Sequence, residues 1–249
     1  MNDRSMELFY EIFNALPRQG PGKTESTQTA FSKLTNLAES PLILDIGCGV
    51  GKQTIDLAGL SNATIFAVDN HRPFLKKLRD NAKSLHINNR IKTIRADMFN
   101  LCFAPNSFDV IWAEGSIYII GFEKGLRDWA LLLKPGGYYA VTEVSWLKTG
   151  APQTLTSFWE QEYPAIADIQ GNLQIIKKCG LRLVDFFILP ESAWWENYYI
   201  PLQEQILRFK EKYKNDQFAS EITDMLQTEI DIYKKFSDFY GYVFYIMQK

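Results

Sequence analysis

The chain has 249 residues, 46% hydrophobic and 14% aromatic, enough apolar surface for a sizeable core. Its net charge of −2 offers no basic field for nucleic-acid phosphates, so no nucleic-acid partner is expected. Cys48, Cys102 and Cys179 are odd in number and far apart, and His71 and His86 are the only histidines, so neither a disulfide framework nor a metal site is expected.

The first residues, Met1 to Ser5, show no positive region followed by an apolar run, so no signal peptide is read. No uncharged apolar stretch reaches the ~18 residues of a membrane span. The expectation is a cytoplasmic protein without a membrane partner. Residues 4–16 carry Met6, Leu8, Phe9, Ile12, Phe13 and Leu16 at helical spacing, stopped by Pro17. Arg18-Gln19-Gly20-Pro21-Gly22 reads as a loop. Thr27 to Ala38 reads as a second helix. From Pro41 strands and helices alternate: strand 41–46, helix from Lys52 to Leu60, strand 63–68, helix 72–85, strands 91–95 and 108–113, helix 123–133. Lys134-Pro135-Gly136-Gly137 is a turn before a strand over 138–143. Arg72, Lys76, Lys77, Arg79 and Lys83 cluster at helical spacing and read as a solvated face.

Helices are expected over 158–166 and 172–179, a strand over 182–189, and a last strand over 242–247. Residues 191–238 form an insertion, aromatic at Trp194, Trp195, Tyr198 and Tyr199 and then amphipathic. The alternation predicts an α/β fold: a Rossmann-like, mostly parallel sheet of seven strands with helices on both faces and the last strand antiparallel. A single domain over 1–249 is expected. Residues 1–40 and the insertion would form a lid over a core built from 41–190 and 239–249.

Ligands bind outside the carboxyl ends of the strands in such a sheet. Asp45, Gly47, Asp69, Asp97 and Glu114 all lie at or near those ends. Leu42 to Ile46 runs into Gly47-Cys48-Gly49-Val50-Gly51, a glycine turn before a helix. Such a turn presents backbone N–H groups and a positive helix end to a ligand. The third glycine comes one residue too early for a dinucleotide fingerprint, and Gly51-Lys52-Gln53 lacks the hydroxyl of a phosphate loop. Asp69, 18 residues after Gly51, can accept hydrogen bonds from ribose hydroxyls.

Together these motifs resemble class I S-adenosylmethionine-dependent methyltransferases. Asp45-Ile46-Gly47-Cys48-Gly49-Val50-Gly51 matches their signature, Asp69 the acid after the second strand, Asp97-Met98 the pair flanking adenine, and Lys134 to Gly137 the turn before the fifth strand. Residues 18–22 and 114–122 further resemble a bacterial subgroup that acts on small molecules. The resemblance implies S-adenosyl-L-methionine as cofactor, held by Asp45, Ile46, Gly47, Cys48, Gly49, Gly51, Asp69, Asn70, Asp97, Met98 and Glu114. In it, Asp45 would hold the ammonium, directly or through water, and His71 would help wall the pocket. Glu114 and Tyr118 are the candidates nearest the reacting centre. Tyr10, Arg18, Tyr118, Trp146 and Trp194 are candidates for the acceptor side. A small-molecule acceptor fits the acidic balance and the missing base-methylation motif after the fourth strand. A non-catalytic cofactor-binding module is the alternative, and the oligomeric state stays open, a homodimer included.

Overall fold

The computed structural model describes residues 3–249; Met1 and Asn2 lie outside the described residues. Two helices come first, α1 (Asp3–Asn14) and α2 (Thr24–Ser32). β1 (Leu42–Ile46), α3 (Lys52–Leu60), β2 (Thr64–Asp69), α4 (Arg72–Ser84), β3 (Ile91–Arg95), β4 (Phe108–Ala113) and α5 (Phe122–Trp129) follow. The chain continues through β5 (Leu133–Trp146), α6 (Gln153–Glu162), β6 (Ala167–Asp168), α7 (Ile169–Lys178) and β7 (Arg182–Ile188). The insertion supplies α8 (Glu191–Trp194), α9 (Ile200–Lys212) and α10 (Gln217–Phe236), and β8 (Tyr240–Gln248) closes the chain.

The sheet runs β3-β2-β1-β4-β5-β8-β7, seven strands as expected, with the two-residue β6 added beside β5. β1 pairs in parallel with both β2 and β4, which puts the point where the chain reverses its direction of travel across the sheet at the ends of β1 and β4. β8 is antiparallel to both β5 and β7. Near-continuous burial along β1, β4 and β8 follows from apolar layers on both faces.

Several boundaries differ from the periodicity. α6 runs Gln153–Glu162 rather than over 158–166, because Pro164 has no N–H to give and ends the helix early. α2 ends at Ser32, six residues before Ala38: Lys33 N donates back to Ala30 O at 3.2 Å, and the backbone turns left-handed at Asn36 with φ of +56°. Lys134 to Gly137 lies inside β5: Leu133 pairs with Phe108 and Tyr138 with Val110, so the four residues between bulge out. Lys134 Nζ anchors that bulge on both oxygens of Asp109, each at 2.8 Å. The insertion is broken, with a π-helical segment over Trp195–Tyr199. That wider turn lets Trp194, Tyr198 and Tyr199 all point inward, 4%, 4% and 0% exposed.

α1 buries Leu8, Ile12 and Phe13 and packs against α9 and α10. The N-terminal helices and the insertion thus meet over the carboxyl edge of the sheet.

Candidate active site

The glycine turn leaves β1 with φ of +74° at Gly47 and +81° at Gly51. Side chains rarely adopt such angles. Space forbids them too: a Cβ on Gly47 would lie 2.4 Å from Ser116 Cβ, and one on Gly51 2.2 Å from Leu78 Cδ1. The N–H groups of Gly47 and Cys48 both donate to Val68 O at 2.9 Å. Gly49 N donates to Asp69 Oδ2 at 2.9 Å and His71 N to Asp69 Oδ1 at 2.8 Å. Burial raises the Asp69 carboxyl, and those backbone donors oppose the shift. Gln19, which no sequence motif singled out, seals the turn by accepting from Val50 N at 2.8 Å.

A cleft of about 720 Å³ opens over this turn, within the roughly 300–1,000 Å³ of small-molecule sites. Gly47, Gly49, Asp69, Asn70, Asp97 and Met98 line one end. Tyr118, Phe158, Glu162, Tyr198 and Glu229 line the other. Tyr10 forms part of the rim and stacks on His71, ring centroids 3.8 Å apart and 6° from parallel. Asp97 Oδ1 accepts from Phe99 N at 3.0 Å, and Met98 O accepts from Trp129 Nε1 at 3.1 Å.

Arg18 and Glu114 sit beside the cleft, both buried. Arg18 Nη1 donates to Glu114 Oε2 at 2.9 Å, and Nη2 lies 3.6 Å from Asp56 Oδ2. Glu114 Oε1 also accepts from Thr27 Oγ1 at 2.7 Å and Trp112 Nε1 at 2.9 Å. Arg18 Nε and Nη2 are buried without a hydrogen-bond partner, at a small cavity shared with Gly47, Cys48 and Gly49.

Asp45 is fully buried. It accepts from Thr54 Oγ1 at 2.5 Å and Gln53 Nε2 at 3.3 Å, and burial pushes it up to about 7. Glu143, at the carboxyl end of β5, is 2% exposed with Oε2 unpartnered. Burial pushes it up to about 8, with only the neighbouring Tyr163 hydroxyl to offset it. Burial also pushes Tyr118 up to about 12, aided by the charges of Glu229 and Glu143.

Residues 43–137 match the family model described as a methyltransferase domain. Methyltransferase GfsG of Streptomyces halstedii is 36% identical over 172 residues, 67% of this chain and 62% of that protein. The chain therefore carries a methyltransferase domain over residues 43–137. A sterol 24-C-methyltransferase of Kluyveromyces lactis is 31% identical over 176 residues, 67% of this chain and 47% of that protein. The chain therefore spans less than two thirds of the length of these curated relatives. In fold it is similar to an S-adenosylmethionine-dependent methyltransferase of Geobacter sulfurreducens, solved with S-adenosyl-L-homocysteine, with a TM-score of 0.84, 18% identity and 97% of each chain covered.

The methyltransferase architecture separates the residues singled out in the sequence into distinct places. Gly47, Gly49, Asp69, Asn70, Asp97 and Met98 meet along one wall, and Tyr10 and Tyr118 face the same cleft. Gly51 sits behind the wall against Leu78. Cys48 lines the small cavity, and Ile46 contributes its carbonyl, which accepts from Ser116 Oγ at 2.6 Å. Asp45 lies behind the wall and reaches the small cavity only through Gln53, because its carboxylate faces α3. Glu114 is held by three donors where the loop after α1, α2 and β4 meet, so it is a tie rather than an acid free to act on an acceptor. Arg18 is its buried partner. His71 lies under Tyr10 instead of walling the main cleft. Trp146 packs edge-on against Tyr240 and lines no part of the cleft. Trp194 is buried, stacked on Tyr233 at 4.2 Å, and reaches an inner extension of the cleft.

This methyltransferase cleft suits a sulfonium nucleoside on two counts. The bare backbone of Gly47 and Gly49 lines the cleft, so a ligand can lie against it with no side chain between. The orphaned Arg18 N–H groups aim at the cavity beside it, where a carboxylate would satisfy them. Residues that composition could not reveal are Gln19, Glu143, Tyr163 and Glu229. Gln19 lies in the loop read over 18–22 and Glu143 at the end of the strand read over 138–143, but nothing in the sequence marked either as a site residue.

Proposed function

We propose that the protein transfers a methyl group from S-adenosyl-L-methionine to a small-molecule acceptor. The observation that carries this reading is Asp69, whose two oxygens brace the glycine turn through Gly49 and His71 while still facing the cleft. An ionised carboxylate has about four acceptor positions, so two remain for a pair of ribose hydroxyls. Asp97 accepts from an adenine amino group, and Met98 packs beside the ring. Gly47 and Gly49 let the backbone lie against the amino-acid end, and Arg18 Nε and Nη2 take its carboxylate. Asp45 acts at one remove by orienting Gln53.

The bound cofactor supplies a methyl group made electrophilic by its sulfonium. The protein's share is to hold the acceptor in line with that methyl and keep water out, a source of effective molarities up to roughly 10⁵–10⁸ M. Asp69, Asp97, Glu162 and Glu229 line the cleft and no Lys, Arg or His does among the described residues, which favours a cationic ligand. A cytoplasmic setting and the absence of nucleic-acid partners are part of the proposal, supported by the three free cysteines and the slightly negative charge. Among the described residues no helix is long and apolar enough to cross a membrane, and no cluster of His, Cys, Asp or Glu could hold a metal ion.

The test is calorimetric titration with S-adenosyl-L-methionine and S-adenosyl-L-homocysteine, followed by release of the latter on addition of acceptors. Binding of both, lost in Asp69→Ala, is the expected result. No heat with either ligand would overturn the reading.

A further inference from the structure

Past the cofactor end, the cleft continues into an inner chamber of about 180 Å³. Its walls are rings, among them Tyr118, Trp159, Tyr163, Trp194, Tyr198 and Tyr242. Glu162 and Glu229 are the only charged side chains in its described lining, and no Lys, Arg or His stands there. Glu229 Oε1 accepts from Tyr199 Oη at 3.0 Å, which orients the carboxylate. Two polar atoms of the wall are buried without a partner: Trp159 Nε1 and Trp194 Nε1. An indole N–H can only donate, so both call for an acceptor on whatever fills the chamber.

Each class of occupant meets this wall differently. A phosphate or carboxylate would face two acids and no cation. A plain hydrocarbon would leave the indole N–H groups unpaired and lie against the Glu229 carboxylate. An ammonium ion finds carboxylates and ring faces, the two groups that replace its water shell. We infer that the chamber takes a small amine cation bearing a neutral hydrogen-bond acceptor such as a hydroxyl, with Glu229 as its counter-charge and proton acceptor. The inference rests on the methyltransferase reading above and names the acceptor class for it.

The chemistry balances. The ammonium nitrogen gives a proton to the Glu229 carboxylate. Its freed lone pair forms the new C–N bond as the methyl's bond to sulfur breaks, and that electron pair stays on sulfur. The product is again an ammonium, and the proton leaves Glu229 for solvent. Burial, with Glu162 facing it, pushes Glu229 up to about 7, and Tyr199 and Tyr198 oppose that shift through hydrogen bonds. Tyr118, Tyr240 and Tyr242 also face Glu229, and all three phenols are held above their ordinary value.

Choline is the probe, with 3,3-dimethylbutan-1-ol as its uncharged carbon isostere and 3,3-dimethylbutanoate as the anion. The full chain, saturated with S-adenosyl-L-homocysteine, is titrated with each in a calorimeter. Choline is expected to bind at least about tenfold more tightly than the alcohol, the anion not to bind, and choline affinity to fall as pH drops through 7. Glu229→Gln is expected to cut choline affinity by about tenfold with the affinity for S-adenosyl-L-homocysteine unchanged. Should that variant not fold, Glu162→Gln is expected to weaken choline binding in the same direction. Equal or tighter binding of the alcohol, or no loss in the variant that folds, overturns the amine inference alone. Failure of S-adenosyl-L-homocysteine to bind overturns the methyltransferase reading beneath it.

Discussion

Asp69 uses one lone pair of each carboxylate oxygen on the backbone N–H groups of Gly49 and His71, and offers the others to a ligand. A hydrogen bond to a charged group is worth about 1.5–3 kcal/mol. Asp69→Ala is therefore expected to weaken S-adenosyl-L-homocysteine by at least about tenfold in calorimetry; an unchanged affinity would rule out its ribose role. Gly47→Ala must place a Cβ 2.4 Å from Ser116 Cβ at a φ of +74°. Overpacking and backbone strain of this kind cost about 1–3 kcal/mol each. The variant is expected to melt several degrees lower and to lose the ligand, and a wild-type melting temperature would show that the turn can relax. Glu143 differs from both in sign. Its folded carboxyl is raised to about 8 by burial, so the stability it adds is fully present below about 4.5 and drains away as pH rises through 8. Glu143→Gln should then match wild type at acid pH and out-melt it increasingly from pH 5 to 9. A constant gap across that range would mean the buried acid is not what titrates.

The junction between the N-terminal segment and β4 depends on a pair of elements rather than one side chain. Arg18, in the loop after α1, and Thr27, on α2, both bond Glu114 at the end of β4. Deleting one partner of a buried ion pair costs about 3–5 kcal/mol because it strands the other charge. Arg18→Met and Glu114→Gln are each expected to destabilise strongly, and the double variant by less than their sum. Additive losses in denaturant melts would mean that the two side chains are not coupled. The elements also show what local pattern can and cannot reveal. α3, β3 and β4 fall where their apolar runs put them, α3 and β4 with a flanking glycine each, because those signals are contiguous in the chain. α2 and the insertion do not, since their ends are set by partners remote in sequence. The same contrast divides the site. Gly47 to Gly51, Asp69 and Asp97 follow successive strands, so sheet topology alone assembles that wall. Glu143, Tyr163 and Glu229 sit on a strand end, a helix end and an amphipathic helix. Glu229 has the spacing of an ordinary solvated acid, and only packing of α10 against the π-helical segment turns it into the chamber.

For the molecule as a whole, ligand binding should tie together regions far apart in the chain. Hydrogen exchange is expected to slow on adding S-adenosyl-L-homocysteine in residues 16–22, 47–51, 69–71 and 97–99 at once. Protection confined to the insertion would place the ligand elsewhere. The position of β8 has a further outcome. Within the main sheet β7 pairs only with β8, and β8 is the last element of the chain. During synthesis β1 to β5 emerge first and can pair with one another, so the wall with the glycine turn can take shape on a nascent chain. Tyr242 of β8 is part of the inner chamber. The half that would recognise the acceptor therefore cannot take shape until β8 has emerged, well after the wall that would hold the nucleoside.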